Sequence, residues 1–294
     1  MTINQEMLRT AEKAGRLLGE VPAAETARFY LGLLRPDGGF ADRAGRSDLY
    51  YSMFGLQACV ALGAALPIPA VKAYLESFVD GGRLDSVHLS CLARCWAVLG
   101  GETCPPAVSS TVLERIEACR SKDGGYAQQP GQAAGSAYGC FLALGAYQDI
   151  GVAMPNPAGV EQCLAKLSIG DGSCANDAAM PIGSTPATAA AVMVLAHLGR
   201  PANPGAADWL LDQHDPAGGF RVMEIAPEPD LLSTAVTLLA LNKLQADISP
   251  IRPACLEFVH SLHTEGQFAG HPGDETPDAE YTFYGLLALG CLAR

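Results

Sequence analysis

The chain has 294 residues, 49% of them hydrophobic and 17% charged. That balance supplies a large core and excludes extended disorder. Nineteen Lys and Arg stand against 31 Asp and Glu, for a net charge of −12. This excludes nucleic acid and anionic membrane as main partners, because both need a basic patch to displace counterions.

The first element, a helix over residues 1–21, carries Glu, Arg and Lys along its length and has no apolar signal-like core. A cytoplasmic protein is therefore expected. No later apolar run reaches the roughly 18 residues of a membrane span. From about residue 22 the chain repeats. A glycine turn recurs as Asp37-Gly38-Gly39-Phe40, Asp80-Gly81-Gly82-Arg83, Asp123-Gly124-Gly125-Tyr126, Gly170-Asp171-Gly172, Gly218-Gly219-Phe220 and Gly266-Gln267-Phe268. The steps are 43, 43, 46, 48 and 48 residues, a period that marks a repeat architecture of six units.

Each unit opens with an amphipathic helix, and proline marks its start. Asn156-Pro157, Asn203-Pro204 and Ser249-Pro250 place an N-cap before proline at the first helical position, with Pro69 and Pro105-Pro106 doing the same earlier. The glycine turn ends that helix. A second helix follows, over 48–62, 85–99, 136–147, 185–198, 230–244 and 278–292. These six are apolar nearly all round, as in a helix buried on both sides. Six wet-faced outer helices and six dry inner ones make an all-α, six-repeat α/α toroid, a single domain over 1–294. The ten cysteines lie mostly within apolar runs without a CxxC pair and read as reduced, buried thiols.

A closed ring of helices has a lumen. Tyr50, Tyr51, Phe54, Trp96, Tyr138, Phe141, Tyr281, Phe283 and Tyr284 fall on the inner helices of repeats one, two, three and six, which are contiguous in a ring. Repeats four and five offer small residues instead. Two readings stand: the aromatics line a cavity for an elongated apolar ligand, or they fill the core.

The tandem Gly-Gly-aromatic units resemble those of the protein prenyltransferase β subunits and the squalene and terpene cyclases. The last unit, from Gly266 through Asp278 and Tyr281 to Gly285, is similar to a segment of the Rab geranylgeranyltransferase β subunit. Pro229-Asp230-Leu231-Leu232-Ser233 resembles the Pro-Asp-Val-Cys-Tyr segment of the same family. The resemblance implies a zinc site built from an Asp, a Cys two residues on and a His. Here those positions are Asp230, Leu232 and Tyr281, so zinc is not expected. The family's cationic clamp for diphosphate maps approximately onto 223–227, Thr185 and Ser233, none of them basic. The cyclases' acidic Asp-x-Asp-Asp motif is also missing, and Asp278-Ala279-Glu280 is the nearest carboxylate pair.

What remains at the starts of the inner helices is acid. Asp48, Asp85, Asp230 and Asp278 suit N-caps, or else form a carboxylate rim able to protonate an olefin or hold a divalent cation such as magnesium. His88 follows Asp85 by three residues and shares its face. The catalytic candidates are therefore Asp230, Asp278, Glu280 and His88. The substrate-binding candidates are Tyr51, Phe54, Trp96, Tyr138, Phe141, Tyr281 and Tyr284. An isoprenoid-handling enzyme, a diverged transferase or cyclase, is expected. The alternative is a non-catalytic toroid that binds a lipid or a partner. The resemblance further implies a helical-repeat α-subunit-like partner if transferase chemistry is kept.

Overall fold

The computed structural model describes residues 1–81, 84–100, 104–274 and 276–293. Gly82 and Arg83 of the second glycine motif lie outside the described residues. Six outer helices, α3 (Glu20–Leu33), α5 (Ile68–Glu76), α7 (Pro106–Ala118), α9 (Pro157–Leu167), α11 (Ala206–Asp212) and α13 (Arg252–Ser261), alternate along the chain with six inner ones. The inner helices are α4 (Leu49–Ala61), α6 (Ser86–Val98), α8 (Ala137–Ile150), α10 (Thr185–His197), α12 (Leu231–Lys243) and α14 (Ala279–Leu292). Each inner helix packs on the next, and α14 returns to α4, closing the ring. The fold is an α/α toroid.

The glycine turns set the spacing between repeats. Gly38 has φ +94°, and a Cβ added there would lie 2.2 Å from the carbonyl oxygen of Ala70, at the start of the next outer helix. Gly266 stands in the same relation to Glu25 on α3, its added Cβ falling 2.6 Å from that residue's carbonyl carbon. The sixth repeat therefore docks on the first by the contact that joins the others, which is how an open array becomes a ring. In four of the repeats a residue just after the turn is buried under the inner helix of its own repeat. The Phe40, Cys174, Phe220 and Phe268 amides donate to the hydroxyls of Ser52, Thr188, Thr234 and Thr282. Each hydroxyl lies four residues past its helix's cap.

Proline misleads at two helix starts. Helix α11 begins after Gly205 and α13 after Ile251, so Asn203 and Ser249 are not the caps. The N-terminal segment also departs from one helix over 1–21. Helix α1 (Ile3–Ala11) is capped by Thr2, then breaks through a 3₁₀ turn (Glu12–Ala14) into α2 (Gly15–Leu18) before α3 starts at Glu20. Helix α1 packs on α14, α4 and α8, so it lies across one end of the ring. It closes the end where the inner helices terminate. The Ile3 amide donates to Gln148 and the Asn4 side chain to Asp149, both at the end of α8. Glu6 pairs with His197 at 2.8 Å and Lys243 at 2.6 Å, the last residues of α10 and α12. All ten cysteines are free thiols, and among the described residues no helix is long and apolar enough to cross a membrane.

Candidate active site

The inner helices share one register, set by their caps. Asp48, Asp85, Ser136, Ser184, Asp230 and Asp278 each accept the amide three residues on. The four carboxylates proposed as an acidic rim are thus N-caps, satisfying free amides at the positive ends of helices. With the caps aligned, the lumen wall falls into layers at the spacing of a helical face. The second residue after each cap forms the mouth ring: Tyr50, Val87, Tyr138, Pro186, Leu232 and Glu280. Phe54, Cys91, Phe141, Ala190, Val236 and Tyr284 form the middle. Arg94, Met193 and Leu239 lie lower, and Met7 of α1 closes the floor. The cavity is about 200 Å³, larger than the ~150 Å³ apolar cavity that takes up benzene.

The same register explains which expected ligand contacts fail. Phe54, Tyr138, Phe141 and Tyr284 line the cavity, joined by Tyr50. Tyr51 and Tyr281 lie three residues past their caps and turn aside from the mouth. The Tyr51 hydroxyl donates to Asp278 at 3.4 Å, and the Tyr281 ring packs on Gly270. Trp96, eleven residues past Asp85, is only 2% exposed and sits within the wall. The aromatic arc is consequently broken at α6, which presents Ser90, Cys91 and Arg94 to the cavity. Around the break, Tyr50, Phe54, Phe283 and Tyr284 form a ring cluster with centroids 5.1–5.7 Å apart at three contacts. The opposite wall of α10 and α12 is aliphatic, with Ala189, Ala190, Val236 and Leu239.

The four catalytic candidates also separate. Asp278 is 7% exposed; it caps α14 and is paired with Arg43 at 2.8 Å, so its charge is already met. Asp230 caps α12 through Ser233, and burial raises its pKa. His88 lies at the rim between two repeats, with Nδ1 2.7 Å from Asp85 and Nε2 3.9 Å from Asp48. Those carboxylates push its pKa up to about 9, so it is a cationic strut and not a lumen base. Glu280 alone projects into the cavity. Its carboxyl accepts from the Tyr50 hydroxyl at 2.6 Å. Burial, with a smaller contribution from the Asp278 charge, raises its pKa above the usual carboxylate value. A half-buried acid whose pKa is raised by burial, facing aromatic rings, can in its protonated form protonate an alkene and leaves the rings to face the cation formed.

Of the three zinc-family positions, Asp230 is a cap, Leu232 lines the cavity and Tyr281 packs on Gly270. Among the described residues no group of three or more His, Cys, Asp or Glu is gathered to hold a metal ion. Arg94 had no place in the sequence reading, although it is the lone charge within an otherwise uncharged helix α6 save for the rim's His88. The signal was there in the cap register. Counting from Asp85 puts residue 94 on the same face as residues 87 and 91.

The chain matches the model of the prenyltransferase alpha-alpha toroid domain over residues 16–77, 70–164 and 187–294. A search of curated proteins returns no match. Among solved structures, the type II terpene cyclase MstE from Scytonema shares 13% identity over 92% of this chain and 96% of its own, with a TM-score of 0.65. A protein from Actinoplanes shares 18% identity over 92% and 97%, TM-score 0.64. The GH76A alpha-1,6-mannanase of Salegentibacter sp. HEL1_6 shares 13% over 92% and 98%, TM-score 0.62. At these identities the structures share the fold. The chain belongs to the prenyltransferase alpha-alpha toroid family.

Proposed function

We propose that this toroid is an isoprenoid cyclase-like catalyst that starts its reaction by protonation, with Glu280 as the acid. The observation that carries the reading is the Glu280 carboxyl, held by Tyr50 in the mouth ring beside Tyr138 and above Phe54, Phe141 and Tyr284. Proton transfer from Glu280 to an alkene carbon leaves a carbocation on the neighbouring carbon. The next double bond attacks it and closes a ring, and loss of a proton to the Glu280 carboxylate restores both alkene and acid. No bond in this sequence needs a diphosphate or a metal, in keeping with a lumen whose mouth ring bears no Lys or Arg. The family resemblance supports the substrate class: MstE has been solved with geranylgeranyl dihydroxybenzoate as substrate. The mannanases share the fold, but an apolar lumen offers little to a sugar chain.

The test is incubation with farnesol and geranylgeraniol in heavy water. A cyclase yields an isomer with one double bond fewer per ring and solvent deuterium at carbon, and Glu280→Gln lowers that yield at least about a hundredfold. Binding of both alcohols with no isomer from either would overturn the catalytic reading and leave a lipid-binding lumen. Thermal shifts with farnesol and farnesyl diphosphate, with and without magnesium, separate the transferase: a strong magnesium-dependent preference for the diphosphate would restore it.

A further inference from the structure

The floor of the lumen holds a charge that the proposed protonation does not use. Arg94 is 8% exposed and lines the cavity. Its Nη1 donates to the Met53 sulfur at 3.4 Å and its Nη2 to the Met7 sulfur at 2.9 Å, while Nε has no hydrogen-bond partner. Thioether sulfur is a weak acceptor, and a guanidinium has five donors to satisfy. Burial depresses the Arg94 pKa, as it must where the charged form loses its water. The carboxylate acting most on Arg94 is Asp149, which makes no ion pair with it and is engaged instead by Asn4 of α1 and by Thr2, the cap of that helix. Glu280 lies at the other end of the wall. Buried guanidinium groups are ordinarily paired, because the unpaired charge costs several kcal/mol.

We propose that Arg94 is an anion-binding subsite for the head of an acid-bearing apolar ligand, a carboxylate on an isoprenoid tail. Cap register gives the geometry. Arg94 follows its cap by nine residues and Glu280 by two, so the two groups differ by seven residues in depth, about 10 Å along the lumen. A ligand bound head-down places its carboxylate on the guanidinium and the far end of its tail at Glu280. Ser90, one turn above Arg94, has its hydroxyl committed to the Leu142 carbonyl, so the subsite is built on the guanidinium. Flat, forked donors in a water-poor floor suit a carboxylate well.

This inference deepens the isoprenoid reading, and the experiment keeps the two apart by varying head and tail independently. Calorimetric titrations compare farnesoic acid with farnesol and palmitic acid with hexadecanol, on the wild type, Arg94→Met and Arg94→Lys. Each acid should bind about ten- to a hundredfold tighter than its alcohol to the wild type. Arg94→Met should erase that preference while keeping the affinity for the alcohol, and Arg94→Lys should keep part of it. Removing an unpaired buried charge should not unfold the protein, and a thermal melt of Arg94→Met checks this directly. Acid preference with the palmitoyl pair alone supports the subsite and sinks the isoprenoid reading. Tight farnesol binding with no acid preference overturns the subsite and leaves the isoprenoid reading standing. No binding of any of the four, or an acid preference that survives Arg94→Met, also overturns it.

Discussion

The two ends of this lumen are built on opposite electrostatic plans. At the mouth six helices begin, and their exposed amides are met by Asp48, Asp85, Asp230, Asp278 and two serines. At the floor the same helices end, and cationic or protonatable groups gather there: His197, Lys243, and Arg252, which donates to the Leu292 carbonyl. Helix dipoles favour this division. Among the described residues that line the cavity, Glu280 is the acid left free of capping at the mouth, and the floor is sealed by a separate helix. The mouth is therefore where proton transfer is expected, and the α1 seal beneath the floor is where stability is expected to reside.

Substitutions can break that division of labour. The largest expected effect is Glu280→Gln, which should cost at least about two orders of magnitude in turnover while shifting Tm by no more than about 2 °C. Because Glu280 acts protonated and its pKa is raised, wild-type activity should fall as pH rises through that raised value. A rate that climbs with pH would mean that Glu280 is not the acid. At the floor, Gly290→Ala should do the reverse. Its Cβ would sit 1.9 Å from the Thr10 carbonyl, so α1 must move, at about 3 kcal/mol of stability in urea melts.

The Glu6 network should cost less. Hydrogen bonding from His197, with Lys243 adding to it, holds the Glu6 pKa near 2 against an ordinary 4.5. A depressed carboxylate stabilises the fold above its unfolded pKa. Glu6→Gln should thus lose about 2 kcal/mol at neutral pH, and wild type and variant should converge as pH falls from about 4.5 toward 2. A constant gap across that range would show that the pairing is not what holds α1. The smallest effect belongs to His88→Gln at the mouth, about 0.5–1 kcal/mol because the group is a third exposed. A raised histidine stabilises below its unfolded pKa of 6.5 and ceases to do so as pH rises through about 9. The gap should be full at pH 6 and gone by about pH 10 in thermal melts.

The amino-acid sequence by itself determined the repeats. Glycine turns at Gly38 and Gly266 and dry helices after each cap depend on local backbone freedom and apolar periodicity, which any window of the chain carries. The four aspartates were likewise legible as caps, since capping is a contact three residues long. Only the tertiary structure decided what faces the lumen. Tyr51 shares a helix with Phe54, Tyr281 with Tyr284 and Trp96 with Arg94, but all three fall off the inward face, a rotation fixed by packing against neighbouring helices. It also decided that Glu280, two residues from Asp278, meets the cavity while Asp278 meets Arg43. Arg43 and Asp278 are far apart in sequence, and so are Met7 and Arg94. A contact of that kind exists only once the ring has closed and α1 has crossed its end, because ring closure is what sets those distances.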